Sequence, residues 1–390
     1  MSKQEEETKV KVLHIMSGFG GGISSFILNK ARALAHGPIQ FDVVTYDQCS
    51  PEFTQAIQST GGQVAQLVNP KKVGWSAFKA SFNQLINQNH YDYIHCHIAG
   101  YRALPYYYLA RKAKQGPFLI HAHLTSDPFE TNKIRLARQA LNQAITRRLS
   151  AIIIGCGQLA IQGTYGPQVS HDEMLVIPNS IEVSQFSQTQ EQKKALRSQA
   201  LADLSLTDFE GLWVGQMARL KPIKNHQFTL KLAAYLRERG VPVRFILAGQ
   251  GPLAETLQSQ IDQLGLTDSV YLVGRLRPEV FFAMTDVMLL PSFFEGLPTV
   301  VVESQAAGVP TLMSDTISQE VDLGLGLVQS LSLDDELVAW AHVLQSLSQR
   351  KIPSLEQRQA VIEAKKFTNQ ESADLYADFL FGRVSHYQIR

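Results

Sequence analysis

Short apolar runs that alternate with helix-length intervals constrain the fold of this chain more than any other feature. In the first half of the sequence, these runs lie at residues 11–16, 41–45, 63–67, 93–96, 118–121 and 151–154. Strands separated by helices form a parallel sheet, because each crossover helix returns the chain to the edge from which the strand started. The pattern therefore predicts a doubly wound α/β fold, in which ligands bind at the carboxyl ends of the strands.

The length of the chain predicts two domains. Its 390 residues exceed the usual size of a single hydrophobic core. After a polar, glutamine-rich stretch at residues 188–202, a second series of strand, loop and helix signals begins at Leu212. We place the domain boundary just before that stretch.

One segment of the second half combines a buried strand, a polar loop and a helix. The apolar run at residues 286–290 is followed by a loop, and Pro298 stands where the first turn of a helix would begin. Glu295 lies in the loop, and Glu303 lies on the side of the helix that carries Thr299. Free N–H groups at a helix start can bind phosphate, and carboxylates can accept hydrogen bonds from sugar hydroxyls. The segment thus indicates a nucleotide-sugar site.

Two glutamates alone would be weak support for that site. Glu303 could complement the helix dipole, and Glu295 could be a solvated loop charge. The residue pattern of the segment is more specific. It reads Pro-Ser-x-x-Glu-Gly-x-Pro over residues 291–298, seven residues separate the two glutamates, and Ala-Ala-Gly-Val-Pro follows at 306–310. The segment resembles the retaining glycosyltransferases of the large sucrose-synthase-like family (family 4, group 1), in particular members from bacterial polysaccharide biosynthesis.

The resemblance covers nearly the whole chain and is most specific over residues 214–310. It implies the GT-B fold, with two Rossmann-like domains that face each other across a cleft. The first would span residues 1–183, bind the acceptor and be completed by residues 368–390, whose helix crosses back to it. The second would span residues 184–367 and bind the nucleotide-sugar donor.

The central segment lacks the cations that a diphosphate needs. Between Arg277 and Arg350 there is no Lys or Arg. In the resembled family an Arg and a Lys grip the donor diphosphate, and Arg219 and Lys224, between an expected strand and helix, match this pair. The family's base-side segment matches Arg275 and Leu276 after another strand.

The resemblance also implies roles for the central segment. Glu303 would bind the ribose hydroxyls, and Glu295 would fix the hydroxyls of the donor sugar. The backbone of four consecutive residues would hold sugar hydroxyls and phosphate: Gly296, Leu297, Pro298 and Thr299.

A glycine-rich loop follows the first strand, at residues 18–22. It does not match a dinucleotide fingerprint, since no well-placed third glycine is followed by an acidic residue about 20 positions on. In the resembled family a Gly-Gly pair here lines the cleft, and Gly21 and Gly22 match it. The acidic residue usual in the family shortly afterwards is replaced by Ser24 and Ser25.

Four histidines lie at the ends of two successive expected strands. His95 and His97 share one face of the chain, as do His121 and His123. They could be partly buried structural residues, or zinc ligands with Cys96, although the zinc spacings commonly seen are absent. The resemblance matches His123 to a cleft histidine that stabilises the positively charged sugar, with the other three behind it.

Composition and charge exclude several classes of protein. The net charge of +1 argues against a nucleic-acid binder, and three widely spaced cysteines suit a reducing compartment. The amino terminus, residues 1–9, is polar and acidic, unlike a signal peptide, and no run of about 18 apolar residues could span a bilayer. We expect a cytoplasmic protein.

Two basic stretches raise the hypothesis of peripheral docking on anionic lipid at the inner face of the membrane. One is a helix expected over residues 129–149. The other is a patch in which lysines alternate with Trp75 and Phe78. Either stretch alone could be an ordinary solvated face. The basic residues are Lys133, Arg135, Arg138, Arg147 and Arg148 in the helix, and Lys71, Lys72 and Lys79 in the patch.

The resemblance implies a retaining glycosyltransferase that uses a nucleotide diphosphate sugar, with UDP the expected nucleotide, and a glycan or lipid-linked acceptor. No further cofactor and no divalent metal are expected, because Arg219 and Lys224 supply positive charge. Three alternatives stay open: a sugar-nucleotide epimerase or phosphorylase, a non-catalytic partner of another glycosyltransferase, and a metal-dependent hydrolase built on the histidines.

Overall fold

A computed structural model of the chain describes residues 9–127 and 129–389. The amino-terminal segment that does not resemble a signal peptide spans residues 1–9. Its residues 1–8 lie outside the described residues. The chain divides into two compact units. The first extends to Ser180 and resumes at Lys366, and the second is Ile181–Lys365. From sequence, we predicted these boundaries between residues 183 and 184 and between residues 367 and 368.

Each unit contains one sheet in which every strand pair is parallel. The α/β fold class with two sheets is therefore confirmed. The strands of the first unit are β1 (Val10–Ile15), β2 (Ile39–Thr45), β3 (Val64–Gln66), β4 (Tyr93–Cys96), β5 (Phe118–Ala122), β6 (Ile153–Gly155) and β7 (Met174–Val176). Those of the second unit are β8 (Leu212–Met217), β9 (Val243–Ala248), β10 (Val270–Gly274), β11 (Val287–Leu290), β12 (Thr311–Ser314) and β13 (Val328–Leu331).

Helices connect the strands. In chain order they are α1 (Gly22–Ala33), α2 (Pro51–Ser59), α3 (Pro70–Val73), α4 (Trp75–Gln88), α5 (Leu104–Lys112), α6 (Lys133–Leu149), α7 (Gln158–Tyr165), α8 (Gln190–Asp203), α9 (His226–Glu238), α10 (Ala254–Gln263), α11 (Pro278–Met284), α12 (Thr299–Ala307), α13 (Leu337–Ser348), α14 (Leu355–Ala364) and α15 (Asn369–Leu380). Within the described ranges, no helix is both long and apolar enough to cross a membrane.

The strand order shows where each sheet can bind a ligand. The first sheet has the order β3-β2-β1-β4-β5-β6-β7, and the second has β10-β9-β8-β11-β12-β13. The direction of winding reverses between β1 and β4 in the first sheet and between β8 and β11 in the second. Loops that leave the carboxyl ends of such a strand pair diverge, which opens a crevice at the edge of the sheet.

Local sequence explains several helix starts. Thr189 and Gln192 form a capping box at α8, and Ser354 and Gln357 form one at α14. The start expected for α6, at residue 129, was wrong. The Asn132 side chain accepts hydrogen bonds from the next helical N–H groups, so this helix begins at Lys133.

Apolar side chains pack on both faces of the first sheet. On one face, α1, α2 and α15 cover a cluster that includes Phe26, Phe41 and Tyr376. On the other face, α4 and α5 cover Phe82 and Tyr106. The carboxyl-terminal helix α15 therefore packs in the first unit, as the sequence predicts.

Candidate functional site

The crevice of the second unit brings together four of the residues singled out from sequence. The β8 loop carries Arg219 and Lys224. The β11 loop carries Glu295 and leads into α12, which carries Glu303. Because β8 and β11 are adjacent and parallel, both loops leave the same edge of the sheet.

Hydrogen bonds fix the two loops to each other. The backbone N–H of Phe293 donates to the carbonyl of Ile223 at 2.9 Å. The amide of Gln216, buried in β8, donates to the carbonyl of Lys224 at 2.8 Å, and the hydroxyl of Thr229 donates to Gln216 at 2.7 Å. The backbone that carries Lys224 is therefore anchored to the sheet.

The two cationic side chains in this crevice differ in whether they have a partner. Lys224 forms an ion pair with Glu295, and the two side chains are only 20% and 12% exposed. Arg219 is exposed, and its guanidinium makes no hydrogen bond or ion pair within the described chain. One cation is thus held in place by a carboxylate, while the other is available to an anion.

Glu303 is partly buried in α12, one helical turn beyond Thr299. Burial raises its pKa to about 7. It has no hydrogen-bond or ion-pair partner in the part of the chain that the structure describes. At the start of the helix, Pro298 occupies the cap position and provides no capping side chain. Among the residues that the structure describes, both the first-turn N–H groups and the Glu303 carboxylate therefore lack a side-chain partner.

The turn after β9 packs closely against the β8 loop. A Cβ on Gly249 would lie 1.9 Å from the carbonyl oxygen of Ala218, and one on Gly251 would lie 2.4 Å from that of Leu220. Only glycine permits this approach. Arg275, exposed, and Leu276 follow β10, which is separated from β8 by β9. They therefore share the sheet edge with Arg219 but lie farther along it.

Two buried polar groups beside these loops were missed from sequence. His226, the first residue of α9, has no hydrogen-bond partner for either ring nitrogen, and the Ser292 hydroxyl in the β11 loop has none within the described ranges. Burial, with a smaller contribution from Lys224, lowers the pKa of His226 to about 4. Their position in the sequence could have identified them, because His226 follows Lys224 by two residues and Ser292 precedes Glu295 by three.

In the first unit, the glycine loop leaves β1 at the equivalent crevice. Gly20 and Gly21 have φ angles of 103° and 81°, which favour glycine. Ser24 is buried, and its hydroxyl accepts a hydrogen bond from the N–H of Gly20 at 2.8 Å. Gly21 and Gly22 are exposed, so their backbone is accessible at the start of α1.

The four predicted histidines gather on one face of the first sheet and bond in pairs. Nε2 of His95 lies 3.0 Å from Nδ1 of His121, and Nδ1 of His97 lies 2.8 Å from Nε2 of His123. The side chain of Cys96 belongs to the cluster on the opposite face. Among residues 9–127 and 129–389, no group of three or more His, Cys, Asp or Glu side chains has a metal-binding arrangement.

His14, Tyr376 and Lys30 extend this cluster and were not anticipated. Nδ1 of His14 lies 3.1 Å from Nε2 of His97, and the hydroxyl of Tyr376 lies 2.6 Å from Nδ1 of His95. Lys30, fully buried in α1, donates to the Ser372 hydroxyl at 2.8 Å. Burial lowers the pKa of Lys30 to about 7. For His14, the pairing of β1 with β4 could have revealed its place in the cluster, because His14 lies directly opposite His95.

The same burial keeps the histidines neutral. Together with a smaller effect of Lys30, it lowers the pKa of His123 to about 3. It also lowers the pKa values of the other four imidazoles well below the ordinary value, and neighbouring imidazoles add to the effect.

The basic helix α6 carries exposed apolar side chains beside its cations. Ile134 is 80% exposed and Leu141 is 61% exposed, and Phe129 is exposed just before the helix. In the other basic patch Trp75 is exposed, but the assignment of Phe78 to that surface was wrong. Phe78 is 1% exposed, because it points into the core beneath α4.

Comparisons with known proteins agree with this fold. The family model described as Glycosyl transferases group 1 matches residues 210–322, and that described as Glycosyltransferase Family 4 matches residues 20–185. Over 345 residues, 86% of each chain, the sequence is 32% identical to the EpsF protein of Bacillus subtilis (strain 168), which is named as a glycosyltransferase.

Two further proteins are similar over much of their length. The sequence is 26% identical, over 60% of each chain, to the Escherichia coli UDP-Gal:alpha-D-GlcNAc-diphosphoundecaprenol alpha-1,3-galactosyltransferase. The fold matches the crystal structure of Anabaena Alr3699/HepE in complex with UDP and glucose, with a TM-score of 0.74, 17% identity, and coverage of 96% of this chain and 100% of that one.

Proposed function

Because this chain belongs to the group 1, family 4 glycosyltransferases, we propose that it transfers a sugar from a UDP-sugar to a glycan or lipid-linked acceptor, with retention at the anomeric carbon. We place the reaction in the synthesis of exopolysaccharide or another cell-surface glycan. The observation that carries the proposal is that the cationic loop with Arg219 and Lys224 leaves the same sheet edge, at the β8–β11 crevice, as the loop and helix start that carry Glu295 and Glu303.

The residues of this crevice suit the departure of a nucleoside diphosphate. The bond between C1 of the sugar and the phosphate oxygen breaks, and the diphosphate keeps the electron pair. The acceptor's hydroxyl oxygen forms the new bond to C1, and its proton passes to the departing phosphate oxygen. Arg219 and Lys224 stabilise the added negative charge, without a divalent metal. Glu295 holds the donor sugar's hydroxyls, the backbone of residues 296–299 holds phosphate and sugar, and Glu303 accepts hydrogen bonds from the ribose. Arg275 and Leu276 lie on the base side.

The first unit contributes the acceptor side. The exposed backbone at Gly21 and Gly22 receives the acceptor, and His123 contacts the transferred sugar as positive charge develops at C1. Because the pKa of His123 is about 3, its ring is neutral near pH 7. It therefore adds no positive charge beside the reacting carbon.

The names of similar proteins support a uridine nucleotide as the donor. The Escherichia coli relative is named for a UDP-galactose donor, and the Anabaena protein was crystallised with UDP and glucose. A thermal-shift screen of the full chain against UDP-, GDP- and ADP-sugars tests this choice. Release of UDP only when an acceptor is present would favour transfer over epimerisation, and stabilisation by GDP- or ADP-sugars alone would contradict the uridine assignment.

The affinity for UDP-glucose is expected to fall as the pH drops from 8 to 6. Glu303 has a pKa of about 7, so it is ionised above that pH and protonated below it. If its carboxylate binds the ribose hydroxyls, affinity falls by up to about tenfold over this range. Isothermal titration of wild type and Glu303→Gln would measure this, with weaker, pH-independent binding expected for the variant. Equal affinity of both proteins at pH 8 would assign Glu303 a structural role.

We also propose that the α6 surface docks on anionic lipid. Exposed Ile134 and Leu141 would enter the interface while the neighbouring Lys133, Arg135 and Arg138 meet lipid phosphates. Co-sedimentation with phosphatidylcholine vesicles should require added phosphatidylglycerol. The double variant Ile134→Ser/Leu141→Ser should bind roughly tenfold more weakly. Leu264→Ser, at an exposed leucine of the second unit, is the control. Binding that ignores anionic lipid would refute the proposal.

A further inference from the structure

A pocket of about 340 Å³ lies at the amino-end edge of the second sheet. Residues 285–286, just before β11, and residues 308–310, just before β12, form one side of it, and the first two turns of α8 form another. The crevice with the proposed diphosphate site lies at the carboxyl ends of the same strands. The four residues of β11 span about 13 Å, so a small ligand in this pocket would be separate from the sugar donor.

Basic side chains dominate the lining of this pocket. Its described lining residues include four cations and a single carboxylate, that of Asp286. This carboxylate is already engaged, since it pairs with Arg197 at 3.0 Å and accepts a hydrogen bond from the backbone N–H of Trp213 at 2.8 Å. We call this site the basic pocket, and its four cations are Lys193, Lys194, Arg197 and Arg350.

Three of these cations have no carboxylate partner in the described part of the chain. Lys193 donates to the backbone carbonyl of Ala307, at the end of α12. Arg350 donates to the backbone carbonyl of Gly326 at 2.9 Å and to a glutamine side-chain oxygen at 3.2 Å. Lys194 is exposed and makes no hydrogen bond or ion pair within the described ranges. Carboxylates therefore do not balance the positive charge of the basic pocket.

Partial burial makes one of these charges costly. Lys193 is partly buried, and its pKa is lowered to about 8, first by burial and then by the nearby Arg358. Its ammonium is thus mostly protonated near pH 7, although it has lost part of its hydration and lies close to a second cation. An anion in the basic pocket would offset both effects.

Helix ends account for only part of the positive charge. The helices α11, α12 and α13 all end beside the basic pocket. The carboxyl end of a helix carries about half a negative charge, so three ends supply roughly 1.5 charges. That is less than the three positive charges without a carboxylate partner. The amino end of α8, where Gln190 is the first residue, adds positive potential. An excess of positive charge therefore remains.

The size and the other lining residues indicate the kind of anion. The volume is at the lower end of the range for ligand pockets, so it suits one small molecule. Phosphate carries about 1.5 to 2 negative charges near pH 7, and Lys and Arg are its usual side-chain partners. Apolar lining can contact the uncharged body of such a molecule, and it includes Ala283, Val309 and Ile352.

We propose that the basic pocket binds a small phosphorylated metabolite, whose phosphate is held by Lys193, Lys194 and Arg350 and whose body contacts Val309 and Ile352. The inference concerns the second unit alone and does not rest on the proposed function, because the basic pocket and the crevice lie at opposite edges of the sheet.

Methyl nuclear magnetic resonance of the full chain, labelled at isoleucine, tests the position of the site. Ile352 lines the basic pocket, whereas Ile223 lies in the β8 loop at the crevice. The signals missing from Ile352→Leu and Ile223→Leu identify the two. Glucose 6-phosphate and inorganic phosphate should shift the Ile352 signal, and glucose should not. An Ile352 signal that neither phosphate compound shifts would overturn the inference, whatever happens to the Ile223 signal.

Substitutions test which charges hold the phosphate. In Lys194→Ala/Arg350→Ala, the affinity for glucose 6-phosphate, measured from the Ile352 shift, should fall by about tenfold or more. Lys231→Ala/Arg239→Ala is the matched control, since it removes the same charge from two exposed positions of the second unit outside the pocket. Its affinity should stay near the wild-type value. Equal losses in both double variants would show a general effect of charge and overturn the inference.

A further variant separates binding from folding. Gln190→Glu places a carboxylate in the first turn of α8, where negative charge stabilises a helix, so the melting temperature should not fall. The added charge should nevertheless weaken glucose 6-phosphate binding severalfold. Unchanged affinity in this variant and in Lys194→Ala/Arg350→Ala would refute the site. Absence of sugar transfer by the wild-type protein would count against the proposed function, while these titrations would still decide the basic pocket.

Discussion

Replacing Arg219 by alanine is expected to lower kcat/KM for sugar transfer by about 10²- to 10³-fold. This is the loss that follows removal of one donor from a preorganised site for developing negative charge. The guanidinium is exposed and unpaired within the described chain, so the melting temperature should barely change. UDP release measured at varied donor concentration, with acceptor present, would show the effect.

The chain offers a close control for this variant. Lys221 is exposed, carries the same charge and lies two residues away in the same loop. Lys221→Ala should therefore retain activity near the wild-type level if position decides the effect. A near-wild-type rate for Arg219→Ala would rule out its assignment to the diphosphate. Equal losses in both variants would indicate a general effect of positive charge on this loop.

The parallel sheets were predictable because their signals are local and repeated. Apolar runs at helix-length spacing specify strands and crossovers with little help from tertiary contacts. The two strands that sequence reasoning missed are β7 and β13, of three and four residues, at the edges of their sheets. Such short edge strands form by pairing with a neighbour, and three or four residues show too little periodicity to predict that pairing.

Side-chain environment was harder to predict than strand position. Phe78 lies between the lysines of its patch in sequence, yet the helix periodicity of α4 turns it into the core. His14 carries no motif, and only its pairing opposite His95 reveals that it belongs to the histidine cluster. In the second unit the motif was specific enough to name Lys224 and Glu295 separately, but nothing in the sequence indicated that they pair.

That pairing complicates any simple test of Lys224. Lys224→Met removes a cation from the proposed diphosphate site and also leaves the Glu295 carboxylate, only 12% exposed, without the ion-pair partner shown for it. Such a carboxylate costs about 1–3 kcal/mol of stability. Lower activity in this variant could therefore reflect either the missing charge or a distorted loop.

A second substitution distinguishes these causes. Lys224→Met is expected to lower kcat/KM by about 10²- to 10³-fold and also to lower the melting temperature. Lys224→Met/Glu295→Gln should recover the melting temperature, because the amide is less costly to bury unpaired than the carboxylate, but activity should stay low, because the diphosphate still lacks its cation. Calorimetry and UDP release on both variants and on Glu295→Gln complete the cycle. Recovery of activity in the double variant would mean that Lys224 serves only to neutralise Glu295.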